Sequence, residues 1–287
     1  MLTLVALSGC GRSQAPSGRL TVVATIYPLY DWVKQIGGDA VDATVLLKPG
    51  ESPHTFEPTP STAMAASQAR VVVAVGLGLD GWIARVAGDP SRVVKLGETP
   101  GLDLIRDQEG VNPHVWMDPQ QAALMVGALE KALAAADPQH ADLYRARTRA
   151  YQAELRRLSE AIVAKTKPYR GRSVITFHAA FTYLLQRCGM RLAGTIEPFP
   201  GKEPSAAYLQ ALTATARRLG QRVIFAEPQL SPKAARVIAN EIHGKVALLD
   251  DLGNPNDPKR ATYTALVGYD VGEIVRAVAA EPKAGGR

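Results

Sequence analysis

Short apolar runs rich in β-branched residues alternate with segments of helical period along most of the chain from Leu20 onward. Residues 20–26, 41–47, 70–75 and 93–96 read as strands. The stretch 70–75 is a near-continuous valine run, as a strand covered on both faces requires. Residues 28–36, 62–68 and 79–86 read as helices, the first with proline in its opening turn, where the missing N–H costs nothing. From Pro119 to Lys167 the strand signal disappears. Residues 120–135 form an Ala/Leu/Glu/Lys-rich helix, Asp137-Pro138 breaks it, and 141–165 is a long helix stopped near Pro168. At 1.5 Å per residue the long helix spans roughly 37 Å, about the width of a domain. Alternation then resumes, with strands at 173–177, 192–196, 222–226 and 245–249 and helices at 179–188, 205–219, 232–242 and 262–280.

Strand–helix alternation implies a mainly parallel sheet flanked by helices. The pattern predicts an α/β protein of two such lobes, at 19–137 and 168–281, joined by a single long helix within 138–167. Residues 1–18 lie outside this pattern as a leader and linker, and the tail 282–287, rich in Gly and Lys/Arg, is expected to be disordered.

A hydrophobic fraction of 46% and a charged fraction of 21% over 287 residues are ordinary for a globular protein. The net charge of +6 raises the question of nucleic acid, but no Lys/Arg run exceeds two residues. Basic residues such as Arg145, Arg147, Arg149, Arg156 and Arg157 are spread along a helix, as on a solvated face. No nucleic-acid partner is expected.

The N-terminus changes the picture more. An apolar run ends in Leu7-Ser8-Gly9-Cys10, which resembles the end of a bacterial lipoprotein signal, where cleavage leaves the cysteine as the lipid-bearing first residue. The run is short and no basic residue precedes it, which points to a start upstream of Met1. Residues 11–18 read as a flexible linker. No other apolar stretch approaches the ~20 residues of a membrane helix. The expectation is an extracytoplasmic body, periplasmic or lipid-anchored to the membrane at Cys10.

Candidate chemistry centres on the histidines His54, His114, His140, His178 and His243. His54 and His178 follow predicted strands, and His114 precedes a helix in Asn112-Pro-His114-Val-Trp-Met-Asp118-Pro. Asp250 directly follows the last predicted strand. In open α/β sheets, ligands bind outside the carboxyl ends of strands. These four residues, two from each lobe, could close a site between the lobes. A cage of three imidazoles and a carboxylate suits Zn²⁺ and leaves no open position for activating water. Manganese favours more oxygen ligands and higher coordination.

Ordered matches along about 20–278 support this reading. They include Val23-Ala-Thr-Ile-Tyr-Pro-Leu, Gly50-Glu-Ser-Pro-His54-Thr-Phe-Glu-Pro, the His114 segment, and Thr176-Phe-His178-Ala-Ala-Phe. Glu203-Pro-Ser-Ala-Ala-Tyr-Leu, Phe225-Ala-Glu-Pro-Gln-Leu-Ser-Pro and Leu249-Asp250-Asp-Leu-Gly complete the series. In these the chain resembles the zinc- and manganese-specific solute-binding proteins of ABC importers, the cluster A-I family. The resemblance implies two α/β lobes bridged by a rigid long helix, and metal ligands at His54, His114, His178 and Asp250. Histidine at the third position resembles the zinc type, where manganese-type members carry glutamate. The family's Asp-Pro-Leu stands here as Asp250-Asp251-Leu252, so Asp251 competes as the fourth ligand. The His-rich loop of many zinc members is absent from 96–111. The implied partners are a membrane permease and its cytoplasmic ATPase, and the implied state is a monomer.

Glu57, Glu197 and Glu227 are candidates to orient ligating imidazoles, as such histidines usually require; turn or strand-end polarity explains each equally well. Trp116 and Phe181 could wall the site or simply fill the core. Cys188 is expected as a buried small hydrophobe, and His140 and His243 as solvent-facing. A zinc hydrolase would need an open coordination position and a general base. No His-Glu-x-x-His motif and no serine nucleophile elbow is present, so no enzymatic activity is expected. A surface adhesin would need an adhesive face that the sequence does not display.

Overall fold

A computed structural model describes residues 18–107 and 110–281. Cys10, most of the linker and the tail 282–287 lie outside the described residues, as does any account of the lipid anchor.

The first lobe holds β1 (Leu20–Ala24), α1 (Tyr27–Gly37), β2 (Val41–Val45), α2 (Pro60–Gln68), β3 (Val71–Ala74), α3 (Ile83–Val86) and β4 (Val93–Lys95). Its four strands are all parallel in the order β2-β1-β3-β4, with Val23 opposite Thr44 on one side and Val72 on the other. Every residue of β3 is buried, as its valine run demands. A small antiparallel hairpin, β5 (Arg106–Asp107) with β6 (Gly110–Val111), follows. Then come α4 (Pro119–Ala136) and the 26-residue α5 (Ala141–Thr166). α4 starts where expected because the Asp118 side chain accepts from the Gln120 N–H and Pro119 takes the first turn.

The second lobe contains β7 (Ser173–Thr176), α6 (Thr182–Arg187), β8 (Arg191–Thr195), α7 (Ala206–Arg218), β9 (Val223–Ala226), α8 (Lys233–Glu241), β10 (Lys245–Leu248) and α9 (Tyr263–Ala280). Its strands form two parallel pairs, β7-β8 and β10-β9, with β7 lying beside β9. The architecture is the predicted one: parallel sheets flanked by helices, with one long helix between the halves.

Two elements differ from expectation. The helix expected over 79–86 forms only at Ile83–Val86. Gly76, Leu77 and Gly78 all have positive φ, and Asp80 accepts from Thr25 Oγ1, Val75 N and Gly76 N, so the chain turns back on itself first. The helix expected from Ala179 opens as a 3-10 turn before α6.

The long helix is not a bare strut. α5 packs on α1 and α4 from the first lobe and on α6 and α9 from the second. One hydrophobic core runs through both halves and contains Trp32, Trp116, Phe181 and Tyr263; a second, including Ile175, Phe177, Leu212 and Ile238, belongs to the second lobe. Polar bonds also cross between the halves. Arg187 grips Asp118 with two bonds of 2.7 and 3.0 Å, Tyr183 Oη donates to the Asn112 carbonyl, and Tyr263 Oη donates to that of Trp116. A shared core with hydrogen-bonded edges resists wide opening, because separating the halves would expose apolar surface at ~25 cal/mol per Å².

Candidate metal centre

The three loop histidines converge. His54 lies in the β2–α2 loop, His114 opens the short 3-10 turn Val115–Met117, and His178 follows β7. His114 Nε2 lies 3.1 Å from His54 Nε2 and 3.1 Å from His178 Nε2. His114 and His178 are buried, and His54 is half-buried. They stand at one side of a cleft of about 290 Å³, also lined by Leu77, Asn112 and Pro198.

Hydrogen bonds on the far side of two rings fix what the near side can do. His114 Nδ1 lies 2.9 Å from Asn112 Oδ1, which also accepts the His114 N–H. Asn112 Nδ2 donates to the Ala179 carbonyl, which sets the amide's orientation. His178 Nδ1 lies 2.8 and 2.7 Å from the two oxygens of Glu227. Since amide and carboxylate oxygens only accept, both Nδ1 atoms carry the proton. The Nε2 atoms of His114 and His178 therefore point at each other, and once His178 Nε2 gives up its proton both present lone pairs to a shared cation. Burial and the neighbouring imidazoles hold His114 well below the usual histidine range, and burial with His178 lowers His54 to about 3. For His178, burial acts downward, but the charge and hydrogen bond of Glu227 overcome it and raise the ring to about 8.

The two aspartates separate clearly. Asp250 Oδ1 accepts from Leu252 N and Gly253 N, and its Oδ2 is paired with Arg260 at 2.7 Å. Both oxygens are thus occupied in closing the turn after β10. Asp251 is 1% exposed; its Oδ1 accepts from Gln229, and its Oδ2 is buried without a partner. Ligand atoms of His54, His114 and His178 lie within 4.8 Å of one another; those of His178, Glu227 and Asp251 form a second group, which shares only His178 with the first. Burial, reinforced by the charge of Glu227, pushes the Asp251 carboxyl up to about 7. Of the two candidate carboxylates, Asp250 is thus held by an ion pair and two turn bonds, whereas Asp251 keeps one buried oxygen without a partner.

A model of the zinc-uptake complex component A, periplasmic (ZnuA), matches residues 22–277. The chain belongs to the ZnuA family. The high-affinity zinc uptake system protein ZnuA of Brucella abortus is 26% identical over 291 residues, covering 85% of this chain and 87% of that protein. Among solved structures, the periplasmic zinc binding protein TroA from Treponema pallidum superposes with a TM-score of 0.82 at 25% identity, over 91% of this chain and 99% of TroA. The laminin binding protein Lmb of Streptococcus agalactiae, described as having adhesin and metal transporting activity, gives 0.81 at 30% identity, over 90% and 99%. Membership of the ZnuA family bears out both the resemblance and the two-lobe fold.

The remaining candidates fall on both sides. Glu227 holds His178, whereas Glu57 is exposed and Glu197 is half-buried, accepting from Gly201 N. Trp116 is fully buried beside the His114 ring and donates its indole N–H to the Asp251 carbonyl, so it serves site and core together. Phe181 belongs to the core. Cys188 is a buried free thiol, raised to about 12 by burial. His243 is exposed, while His140 is half-buried against Asp137. Asn112, Gln229 and Arg260 have roles that sequence reading missed. Only Asn112 left a signal, an Asn two residues before a histidine, where its side chain can bond the backbone and the ring at once.

Proposed function

We propose that this chain is the extracytoplasmic metal-binding component of a zinc ABC importer. It takes up one Zn²⁺ as cargo through Nε2 of His54, His114 and His178 and a carboxylate oxygen of Asp251, and delivers it to the permease, which a cytoplasmic ATPase drives. The observation that carries the reading is the convergence of three imidazoles, with His114 Nε2 3.1 Å from Nε2 of His54 and of His178, and with Asn112 and Glu227 holding Nδ1 of two rings so that Nε2 points inward. Three nitrogens and one oxygen suit a tetrahedral zinc ion, whereas Ca²⁺ and Mg²⁺ prefer all-oxygen shells. Mn²⁺ is the alternative cargo, disfavoured by three imidazoles.

The role is binding rather than catalysis. A four-donor cage has no position for a reactive water, and the buried bases nearby are committed: Glu227 to His178, and Asp250 to Arg260. The lobes, 19–137 and 168–281, would work as a monomer, tethered to the membrane by lipid on Cys10. Among the described residues no helix is long and apolar enough to cross a membrane.

The test is zinc uptake by cells lacking this gene and grown with a zinc chelator. The full chain should restore growth and uptake of labelled zinc, His114→Ala should not, and Cys10→Ala should release the protein from the membrane fraction. Restoration by His114→Ala would contradict the proposal. A form starting at Ser13 should bind one zinc and bind manganese far more weakly.

A further inference from the structure

One aromatic ring is left outside the fold, and it stands at the mouth of the histidine cleft. Phe199 is 51% exposed, whereas every other Phe, Trp and Tyr among the described residues is buried or half-buried. It lies in the loop between β8 and α7, in Pro198-Phe199-Pro200-Gly201. Pro198 and Pro200 line the cleft together with His54, His114 and His178, while the ring between them faces solvent. A lone exposed apolar side chain is ordinary, and others such as Met64 and Val237 sit on α2 and α8 and line no part of this cleft. What sets Phe199 apart is how it is held. Proline fixes φ on either side of it. Glu197 Oε2 accepts the Gly201 N–H at 3.0 Å, and the Lys202 N–H donates to the Phe199 carbonyl at 3.0 Å. Lys202 Nζ lies over the ring, 5.3 Å from its centroid. Gly201, at φ +81°, packs so closely on the first lobe that a Cβ there would come within 2.7 Å of Thr55 Cγ2. The second-lobe loop thus leans on the first-lobe loop one residue past His54.

We propose that Phe199 is the anchor by which the permease engages this protein over the cleft, an assignment that rests on the importer role given above. His54 is half-buried while His114 and His178 are buried, so the cleft is most open on the side where the Thr55 and Gly201 loops meet. A partner that receives the ion must sit over that side, and Phe199 is the large apolar side chain it meets there. Aromatic residues are enriched in the cores of protein interfaces. A ring pre-set by two prolines and two turn bonds loses little conformational freedom on docking, so more of its burial appears as affinity. Lys202 covers one face of the ring. The partner site that fits is therefore an apolar slot at the outer mouth of the permease, taking the other face and the edge.

Spheroplasts of cells lacking this gene are supplied with purified, zinc-loaded protein starting at Ser13, and uptake of labelled zinc is followed against protein concentration. Phe199→Ser removes the ring, and Phe199→Trp keeps an aromatic one. The parent should drive saturable uptake. Phe199→Ser should need on the order of 30-fold more protein for half-maximal uptake, with zinc affinity and melting temperature unchanged, and Phe199→Trp should stay close to the parent. Parent-like uptake with Phe199→Ser would overturn the assignment and leave the importer role intact. No uptake with the parent would remove the importer role, and the assignment with it. Weakened zinc binding in Phe199→Ser would place the ring with the metal site instead. Dimerisation of the parent in light scattering, abolished by Phe199→Ser, would give the ring to a second copy of this chain. Either of these last results also overturns the assignment.

Discussion

Acidification should weaken zinc binding in two stages, and Glu227→Gln should flatten the first. In the metal-free protein His178 is raised to about 8, mainly because Glu227 overcomes the effect of burial. Its Nδ1 proton is held by Glu227, so the proton that titrates sits on Nε2, where zinc would bind. A raised pKa means that this proton is present below about 8 and must leave before the metal enters. The dissociation constant should therefore rise tenfold per pH unit below that point. Asp251, raised to about 7, adds a second proton lower down, and the slope should steepen towards two. From pH 8 to 6 the loss approaches ~1000-fold, about 4 kcal/mol. His54 (about 3) and His114 (lower still) add nothing in this window. In Glu227→Gln the charge that raises His178 is gone and burial acts alone, so the stage between pH 8 and 7 should disappear. Affinity at pH 8 should also fall by about 10–100-fold, since the ring loses its strongest orienting partner. The assay is chelator competition at several pH values, corrected for protonation of the chelator, with a pH indicator counting protons released per zinc. A flat wild-type profile from pH 8 to 6, or an unchanged profile in Glu227→Gln, would refute the reasoning.

Other consequences follow from the same geometry. His114→Ala should cost on the order of 100-fold in zinc affinity, a quarter share of a typical structural zinc site, with an unchanged far-ultraviolet dichroism spectrum; a near-wild-type titration would count against its ligand role. Arg187→Ala removes the pair to buried Asp118 across the halves, and should lower stability by roughly 2–3 kcal/mol in a urea melt, leaving metal-bound and metal-free proteins equally affected per mole. Cys188, 2% exposed and raised to about 12 by burial, should resist thiol reagents in the native Ser13 form and react only after denaturation; rapid native labelling would show the second lobe to be looser than its packing implies.

The alternation of strand and helix was legible because each element buries its face locally. The Val71–Ala74 strand and the Asp118-Pro119 helix start declare themselves within a few residues. The grouping of His54, His114 and His178 was suggested by their positions, at strand ends and in turns. The contrast between the surroundings of Asp250 and Asp251 was not. Adjacent residues in a turn point in different directions, and their partners are Arg260, ten residues on, and Gln229, more than twenty residues back. No local pattern encodes those partners. The truncated helix at Ile83–Val86 has a similar cause: the glycines at 76 and 78 were visible, but Asp80 capping the 75–76 amides depends on the fold of the turn itself. The hairpin at 106–111 uses strands of two residues each, too short for any alternation to register.

The central claim is that one zinc ion is held by three imidazoles and a single carboxylate between the lobes. X-ray absorption at the zinc edge of the one-to-one complex tests it most directly. Four nitrogen or oxygen neighbours at about 2.0–2.1 Å are expected, with outer-shell scattering that requires three imidazole rings. A six-coordinate shell, a sulfur neighbour, or fewer than three imidazoles would contradict it.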